Sequence, residues 1–403
     1  MSFPTRRLKN MATVVVSSVD KKSVDGEVPV RLCNYTDVYH ADRIIDDGEF
    51  MPATATKEQV DRFRLRPGQT LITKDSETAE DIGIAALVES AGPDLVCGYH
   101  LAVLTPDEGV ADPRFLFWTM RAKSTRSQLA IGASGVTRFG LRAETITGLD
   151  VPLPPIECQV RISDLLDTES ARIDDLIAAK QKMVELAGER LDALRDAVLW
   201  SHGGFQRIGN VVDDRRPVMY GIVLPGPNID DGPGVPIVKG GDVACQFTRP
   251  LNHTTVEIEA SFARARLREG DLVLAIRGGI GDVARVPSWA EGSNITQDVA
   301  RIAPSAMTDP SWLYHVLCSP RFQAQAESFI TGATIRGLNI GDIKKLTVPR
   351  TPLQDQKRLA DRLDREEKRS WELTETLTRQ IELLREHRQA LITAAVTGEL
   401  EVA

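Results

Sequence analysis

The chain repeats itself at an offset of 197 residues, and each copy closes in a long charged segment of helical character. Asp112, Pro113, Gly135, Thr137, Gly140, Leu141, Ile146, Leu149, Val151 and Pro152 return as Asp309, Pro310, Gly332, Thr334, Gly337, Leu338, Ile343, Leu346, Val348 and Pro349. The register carries on through Gln159 and Gln356, Asp167 and Asp364, Leu176 and Leu373, and Leu194 and Leu391. Solenoid repeats run at roughly 20 to 50 residues, so each copy here is a whole domain plus a helix. Such a chain has the layout of a covalent dimer, able to offer two similar surfaces to a partner of two-fold character.

At 403 residues with 42% hydrophobic content there is material for two independent cores. Cys33, Cys97, Cys158, Cys245 and Cys318 are widely spaced, without a CxxC pair or neighbouring His pair. That pattern predicts a reduced, cytoplasmic protein without structural zinc. Neither a secretory leader nor an 18-residue apolar run occurs, so no membrane partner is expected. The net charge of −8 divides unevenly. Residues 1–151 hold 18 basic and 21 acidic residues, 152–203 hold 6 and 10, 204–348 hold 15 and 15, and 349–403 hold 10 and 11. A polyanion partner would have to meet a local patch.

Short β-like runs mark both globular segments: Ala12 to Val16, Val28 to Leu32, Thr70 to Thr73, Ile82 to Val88 and Leu101 to Leu104, then Val235 to Val238, Leu272 to Ile276 and Val299 to Ile302. A helix is expected from Pro113 to about Ile131, and its copy from Pro310 to about Phe329. The fold class expected is therefore α+β: two similar mixed α/β domains, residues 1–151 and 204–348. They are separated by two long helices, 152–203 and 349–403. Proline-flanked extended linkers, Val151 to Pro155 and Val348 to Pro352, precede the helices. An alternating three-and-four spacing places Leu166, Ile173, Ile177, Val184, Leu191 and Leu194 on one seam, and Leu363, Leu377, Ile381, Leu384 and Leu391 on the other. An intramolecular antiparallel coiled coil, related by a pseudo-two-fold axis, satisfies both seams. The alternative is that each helix packs on its own domain alone.

Familiar catalytic patterns are missing. No Gly-Lys dipeptide exists for a nucleotide phosphate loop, and neither an HExxH nor a nucleophile elbow is present. His40, His100, His202, His253, His315 and His387 are scattered. A carboxylate pair such as Asp75 with Asp81 would be needed for a hydrolase, though solvated loop charges explain it as well. Candidate contact groups for nucleic acid do appear. Arg277-Gly278-Gly279 follows a strand, where glycine lets the backbone approach a phosphate or base and the guanidinium reaches guanine. Lys74 stands in the corresponding place of the first copy, without the glycines. Arg138 beside Gly135 and Thr137, and Thr334 and Arg336 beside Gly332, combine hydroxyl and cation as phosphate contacts do. Structural turns with solvated cations account for the same residues. Lys239 follows the strand Val235 to Val238.

The segment from Val151 through Pro155, Gln159, Arg161-Ile162 and Leu166-Asp167 to Ala171-Arg172-Ile173-Asp174 resembles the central conserved region of specificity subunits of type I restriction-modification enzymes. Residues from Arg388 through Thr397-Gly398 are similar to that family's distal conserved helix, and Val235-Pro236-Ile237 with Gly241-Asp242-Val243 to its target-recognition domains. The resemblance implies a non-catalytic DNA-binding subunit whose two domains each read half of a split duplex target while the helices set the spacer. It also implies two methyltransferase subunits docked on the helices, with restriction and translocase subunits beyond them. S-adenosylmethionine, ATP and magnesium would then be held by those partners and none by this chain. The competing class is a coiled-coil scaffold that never reads DNA.

Overall fold

The computed structural model describes residues 3–201, 203–229, 234–330 and 336–402. Two compact units emerge, one of residues 1–180 with 379–403 and one of residues 181–378. Each contains a globular domain, the first half of the helix that follows it, and the last half of the other long helix.

The first unit opens with β1 (Thr5–Arg7), β2 (Ala12–Val16), β3 (Val28–Cys33), α1 (Tyr35–His40), β4 (Arg43–Ile44), β5 (Met51–Ala55) and α2 (Lys57–Phe63). It continues through β6 (Thr70–Thr73), β7 (Asp75–Ser76), β8 (Ala85–Val88), β9 (Leu95–Cys97) and β10 (Leu101–Pro106). Then come α3 (Pro113–Arg121), α4 (Lys123–Gly132), β11 (Phe139–Gly140), α5 (Ala143–Thr147), β12 (Asp150–Pro152) and the long α6 (Ile156–Leu199), of which residues up to 180 belong to this unit. In the second unit the strands are β13 (Phe205–Arg207), β14 (Met219–Tyr220), β15 (Gly234–Val238), β16 (Asn252–Thr255), β17 (Leu272–Ala275), β18 (Val283–Arg285), β19 (Asn294–Ile295), β20 (Val299–Ile302) and β21 (Thr347–Pro349). Its helices are α7 (Gly240–Ala244), α8 (Val256–Ala260), α9 (Pro310–Cys318), α10 (Pro320–Ser328), α11 (Ile340–Ile343) and the long α12 (Leu353–Thr397), of which residues up to 378 belong to this unit.

The duplication extends to sheet order. β2-β10-β6-β8-β4 in the first unit matches β14-β20-β17-β18 in the second, and β5-β3-β9 matches β16-β15-β19. β3 pairs antiparallel to β5 and parallel to β9, as β15 does to β16 and β19. The main sheet is buried on both faces, so its strands read as continuous apolar runs. Alternation sends Ile72, Ala102 and Leu104 toward α3, and Leu71, Leu101 and Val103 toward the small sheet. Leu272, Leu274 and Ile302 divide from Val273, Ala275 and Val299 in the same way.

The extended linkers are strands, β12 pairing with β1 and β21 with β13, which closes each domain where its helix begins. The two expected domain helices are each broken. Ser319, extended at ψ 141°, separates α9 from α10 because it precedes Pro320, which disfavours helical geometry there. Ala122 makes the same break between α3 and α4.

Helix pairing is antiparallel within each unit. In the first, Ile173, Ile177, Ile381, Leu384 and Leu391 form one cluster, Arg388 pairs with Asp174, and Lys180 donates to Gln380 at 2.6 Å. In the second, Ala187, Leu191 and Leu194 line a groove with Ser370 and Leu373, and Arg195 pairs with Glu367 at 2.6 Å. Partner numbers fall along one helix as they rise along the other, which fixes the direction. Leu377 is buried and Val184 half-buried. Leu166 and Leu363 lie deepest, in the cores of their own domains, where Leu166 also shares a cluster with Ile392 and Ala395.

Candidate functional site

Hydrogen bonds fix which residues of the two domains are equivalent. The N–H of Leu141 meets the carbonyl of Lys74 at 2.8 Å, and that of Leu338 meets Ile276 at 3.0 Å. The N–H of Lys74 donates to His100 at 2.9 Å, and that of Ile276 to Asp298 at 2.8 Å. Lys74 therefore corresponds to Ile276, and the counterpart of Arg277 is Asp75. This corrects the sequence expectation, which set Lys74 opposite Arg277. β6 and β17 differ in number by 202 whereas the helices differ by 197, so an alignment anchored on the helices slips here. The charge at this position reverses between the domains.

In the second domain Arg277 is half-exposed and 3.8 Å from Asp298. Gly278 and Gly279 follow it as an exposed turn, with φ +71° at Gly278. Gly240, at the start of α7, lies against the Arg277 carbonyl, and Gly337 against its side chain. Lys239 and Arg336, the exposed neighbours of those glycines, thus gather around the same turn, with Arg336 held 2.9 Å from Glu327. Thr334 lies outside the described residues.

In the first domain Asp75 is the hub. Lys74 Nζ lies 2.7 Å and His100 Nδ1 2.8 Å from its carboxylate, and Lys74 also sits 4.5 Å from the Tyr99 ring. Lys74 is nearly buried. Asp75, Asp81, Tyr35, Tyr39 and Arg138 line one cleft of about 380 Å³. Asp81 accepts from the Tyr39 hydroxyl at 2.7 Å, so both carboxylates of the conceivable pair are engaged. Arg138 projects from a loop closed by the Ser134–Gly140 bridge, in which Gly135 must be glycine because any Cβ would overlap the Arg138 carbonyl.

The loops after β6 and β17 share their closing residue. Gly83 donates to Thr73 and Gly281 to Ala275, both at 3.0 Å and both at positive φ, +77° and +101°. Four additional residues in the first loop hide this in the sequence, where the glycines read as unmatched. The five cysteines are free thiols, and no described helix is long and apolar enough to cross a membrane. His315, Asp364 and Glu367 are close enough to hold a metal, but Arg285 and Arg195 already occupy their carboxylates at 2.6 Å each.

Residues 224–383 match the family model described as type I restriction modification DNA specificity domain. This stretch includes Lys239, the Arg277 turn and most of α12. The second domain and the first part of α12 are thus similar to that specificity domain. The chain is 26% identical over 274 residues to the type I restriction enzyme EcoBI specificity subunit of Escherichia coli, covering 59% of this chain and 56% of that protein. So the match spans about half the length of that relative. It is 22% identical to the putative type I restriction enzyme MjaX specificity subunit of Methanocaldococcus jannaschii over 366 residues, 86% of this chain and 81% of that protein. Among solved structures, a chain from work on complex assembly and conformational transition of the type I R-M system superposes with a TM-score of 0.74 at 18% identity, covering 99% and 98% of the two chains. The HsdS subunit from Thermoanaerobacter tengcongensis gives 0.55 at 17% identity, covering 99% and 97%. At such identity the superpositions establish the fold alone, which this chain shares with those two structures.

Proposed function

We propose that this chain is the DNA-reading subunit of a type I restriction-modification complex and that each domain reads one half of a bipartite target. The observation that supports the reading best is the Asp75–Arg277 equivalence. One framework, a strand end flanked by a short helix and a glycine-bearing loop, presents an acceptor in one domain and a donor in the other. A guanidinium suits the O6 and N7 acceptors of guanine, and a carboxylate suits the amino donor of cytosine. Arg138, Lys239 and Arg336 are positioned beside these turns as phosphate contacts, which orient without reading sequence.

The helices act as the ruler. At 44 and 45 residues, and 1.5 Å per residue, each is on the order of 66 Å long, ample for half-sites about one duplex turn, roughly 34 Å, apart. Their outward faces carry Leu176, Met183, Leu186 and Trp371. Two methyltransferase subunits dock there, with restriction and translocase subunits completing the cytoplasmic complex. S-adenosylmethionine, ATP and magnesium belong to those partners, and this chain contributes recognition in place of catalysis. Co-expression with the cognate methyltransferase followed by methylation mapping tests the whole reading. A gapped, two-part adenine-methylation motif that depends on this chain supports it, and no such motif refutes it.

A further inference from the structure

At the end of β17 remote from Arg277 lies a cavity of about 520 Å³ walled by arginine: Arg215, Arg216, Arg264, Arg266, Arg268 and Arg301. Two of these are neutralised, Arg216 by Asp271 at 2.6 Å and Arg266 by Glu259 at 2.5 Å. Among the described residues Arg215, Arg264, Arg268 and Arg301 have no ion-pair partner, and Glu291 is the one carboxylate on the wall.

Arg301 is 1% exposed. Its terminal nitrogens donate to the carbonyls of Arg264, Arg266 and Pro217, while its Nε has no partner. Burial first, then the neighbouring Arg216 charge, push its pKa down against the opposing pull of Asp271 and Asp213. The fold does not require a cation there. β10 and β20 pair in the same register, Val103 with Leu71 and Arg301 with Val273, so the first domain fills this position with an apolar valine.

We propose that this cavity is a phosphate-binding site, taking a phosphoryl group from a nucleic-acid backbone or from a free polyphosphate. Guanidinium forks match phosphate oxygens bidentately, and a buried cation without a counter-charge is costly until an anion arrives. The exposed stripe itself is duplicated: Arg62, Arg64 and Arg66 precede Gly68 (φ +87°) as Arg264, Arg266 and Arg268 precede Gly270 (φ +80°). The first domain nevertheless has Gln69 and Val103 where the second has Asp271 and Arg301, so it lacks the cavity's floor. One site per chain is expected.

The test titrates inorganic pyrophosphate into the full chain at constant ionic strength, by calorimetry and thermal shift. Binding at one site per chain, weakened at least about tenfold in the surface double variant Arg264→Ala/Arg268→Ala and in Arg301→Val, is the expected result. Arg301→Val installs the residue the first domain tolerates; should it misfold, the surface variant decides. Absence of binding, or binding indifferent to these substitutions, overturns the site. The salt dependence of duplex binding then separates the sources. A slope reduced by about two in the surface variant assigns the backbone, and an unchanged slope alongside lost pyrophosphate binding assigns a free polyphosphate. The pyrophosphate titration stands apart from the proposed DNA reading, so either can fail alone.

Discussion

Gln356 accepts the backbone N–H of Asp309 on its Oε1 at 2.8 Å, and Asp309 accepts the N–H of Trp312 at 2.9 Å. Gln159 and Asp112 do the same, at 2.8 Å and 2.9 Å. The other end of each glutamine closes the clasp, Nε2 donating to Thr351 at 2.8 Å and to Pro154 at 2.9 Å. A fully buried amide on each long helix thus caps the domain helix that packs beside it. Gln356→Ala leaves the Asp309 N–H and the Thr351 carbonyl without this partner, and about 1 to 3 kcal/mol of stability is expected to be lost. Denaturant unfolding of Gln356→Ala and Gln159→Ala checks this. Each substitution is expected to destabilise its own unit, and a loss under about 0.5 kcal/mol in both contradicts the clasp.

His315 is fully buried, its Nε2 3.0 Å from Asp364 and its Nδ1 3.4 Å from Arg195 Nε. Arg195 donates to Nδ1, so the ring is the neutral tautomer with hydrogen on Nε2. Burial first, then the Arg195 and Arg285 charges, lower its pKa to about 4 against the opposing pull of Asp364. The unfolded chain, titrating near 6.5, binds the proton more readily. Stability is therefore intact above about pH 6.5 and is lost as pH falls toward 4, by about 3 kcal/mol for the second unit. Trp118 makes the matching bond to Asp167 at 3.0 Å without titrating. Thermal melts from pH 7 to 4.5 should show the decline, and His315→Gln should flatten it. An unchanged slope in that variant assigns the decline elsewhere.

Arg277→Ala is expected to relax the methylated motif at one position of one half, at a cost of about 1 to 3 kcal/mol in discrimination. Asp75→Asn should affect only the other half. Methylation mapping of both variants in the assembled complex reads this directly, and loss of both halves together from either one counts against separate reading.

Removal of one heptad from α6, residues 181–187, is expected to change the spacer or abolish methylation. An unchanged spacer at full activity rules out the ruler.

The 197-residue register made the linkers and the helix seam legible, because those elements pack on one another and leave no room for insertion, whereas the recurring Gln159 and Gln356 showed their clasp only in the structure. Polar contacts between the helices, Arg388 with Asp174 and Lys180 with Gln380, pin the pairing. Loops between strands bear no such constraint. The first domain differs in length upstream of α3, so Gly83 no longer aligns with Gly281, Lys74 drifts opposite Arg277, and the arginine stripe at 62–66 goes unmatched with 264–268. A second comparison at an offset of 202 shows the Lys74 and arginine correspondences, and one at 198 shows the glycine pair. Both domain helices were expected unbroken; Pro320 accounts for the break at Ser319, and no residue in the sequence marks the one at Ala122. Arg301 had no sequence signal at all. Its position inside an apolar strand reads as core until the register with Val103 is known.

The central claim is modular reading, and domain exchange tests it most directly. Residues 1–151 replaced by the corresponding domain of a type I specificity subunit, expressed with the methyltransferase, should give a methylated motif with one half replaced and the other half and spacer kept. A motif altered in both halves would contradict it.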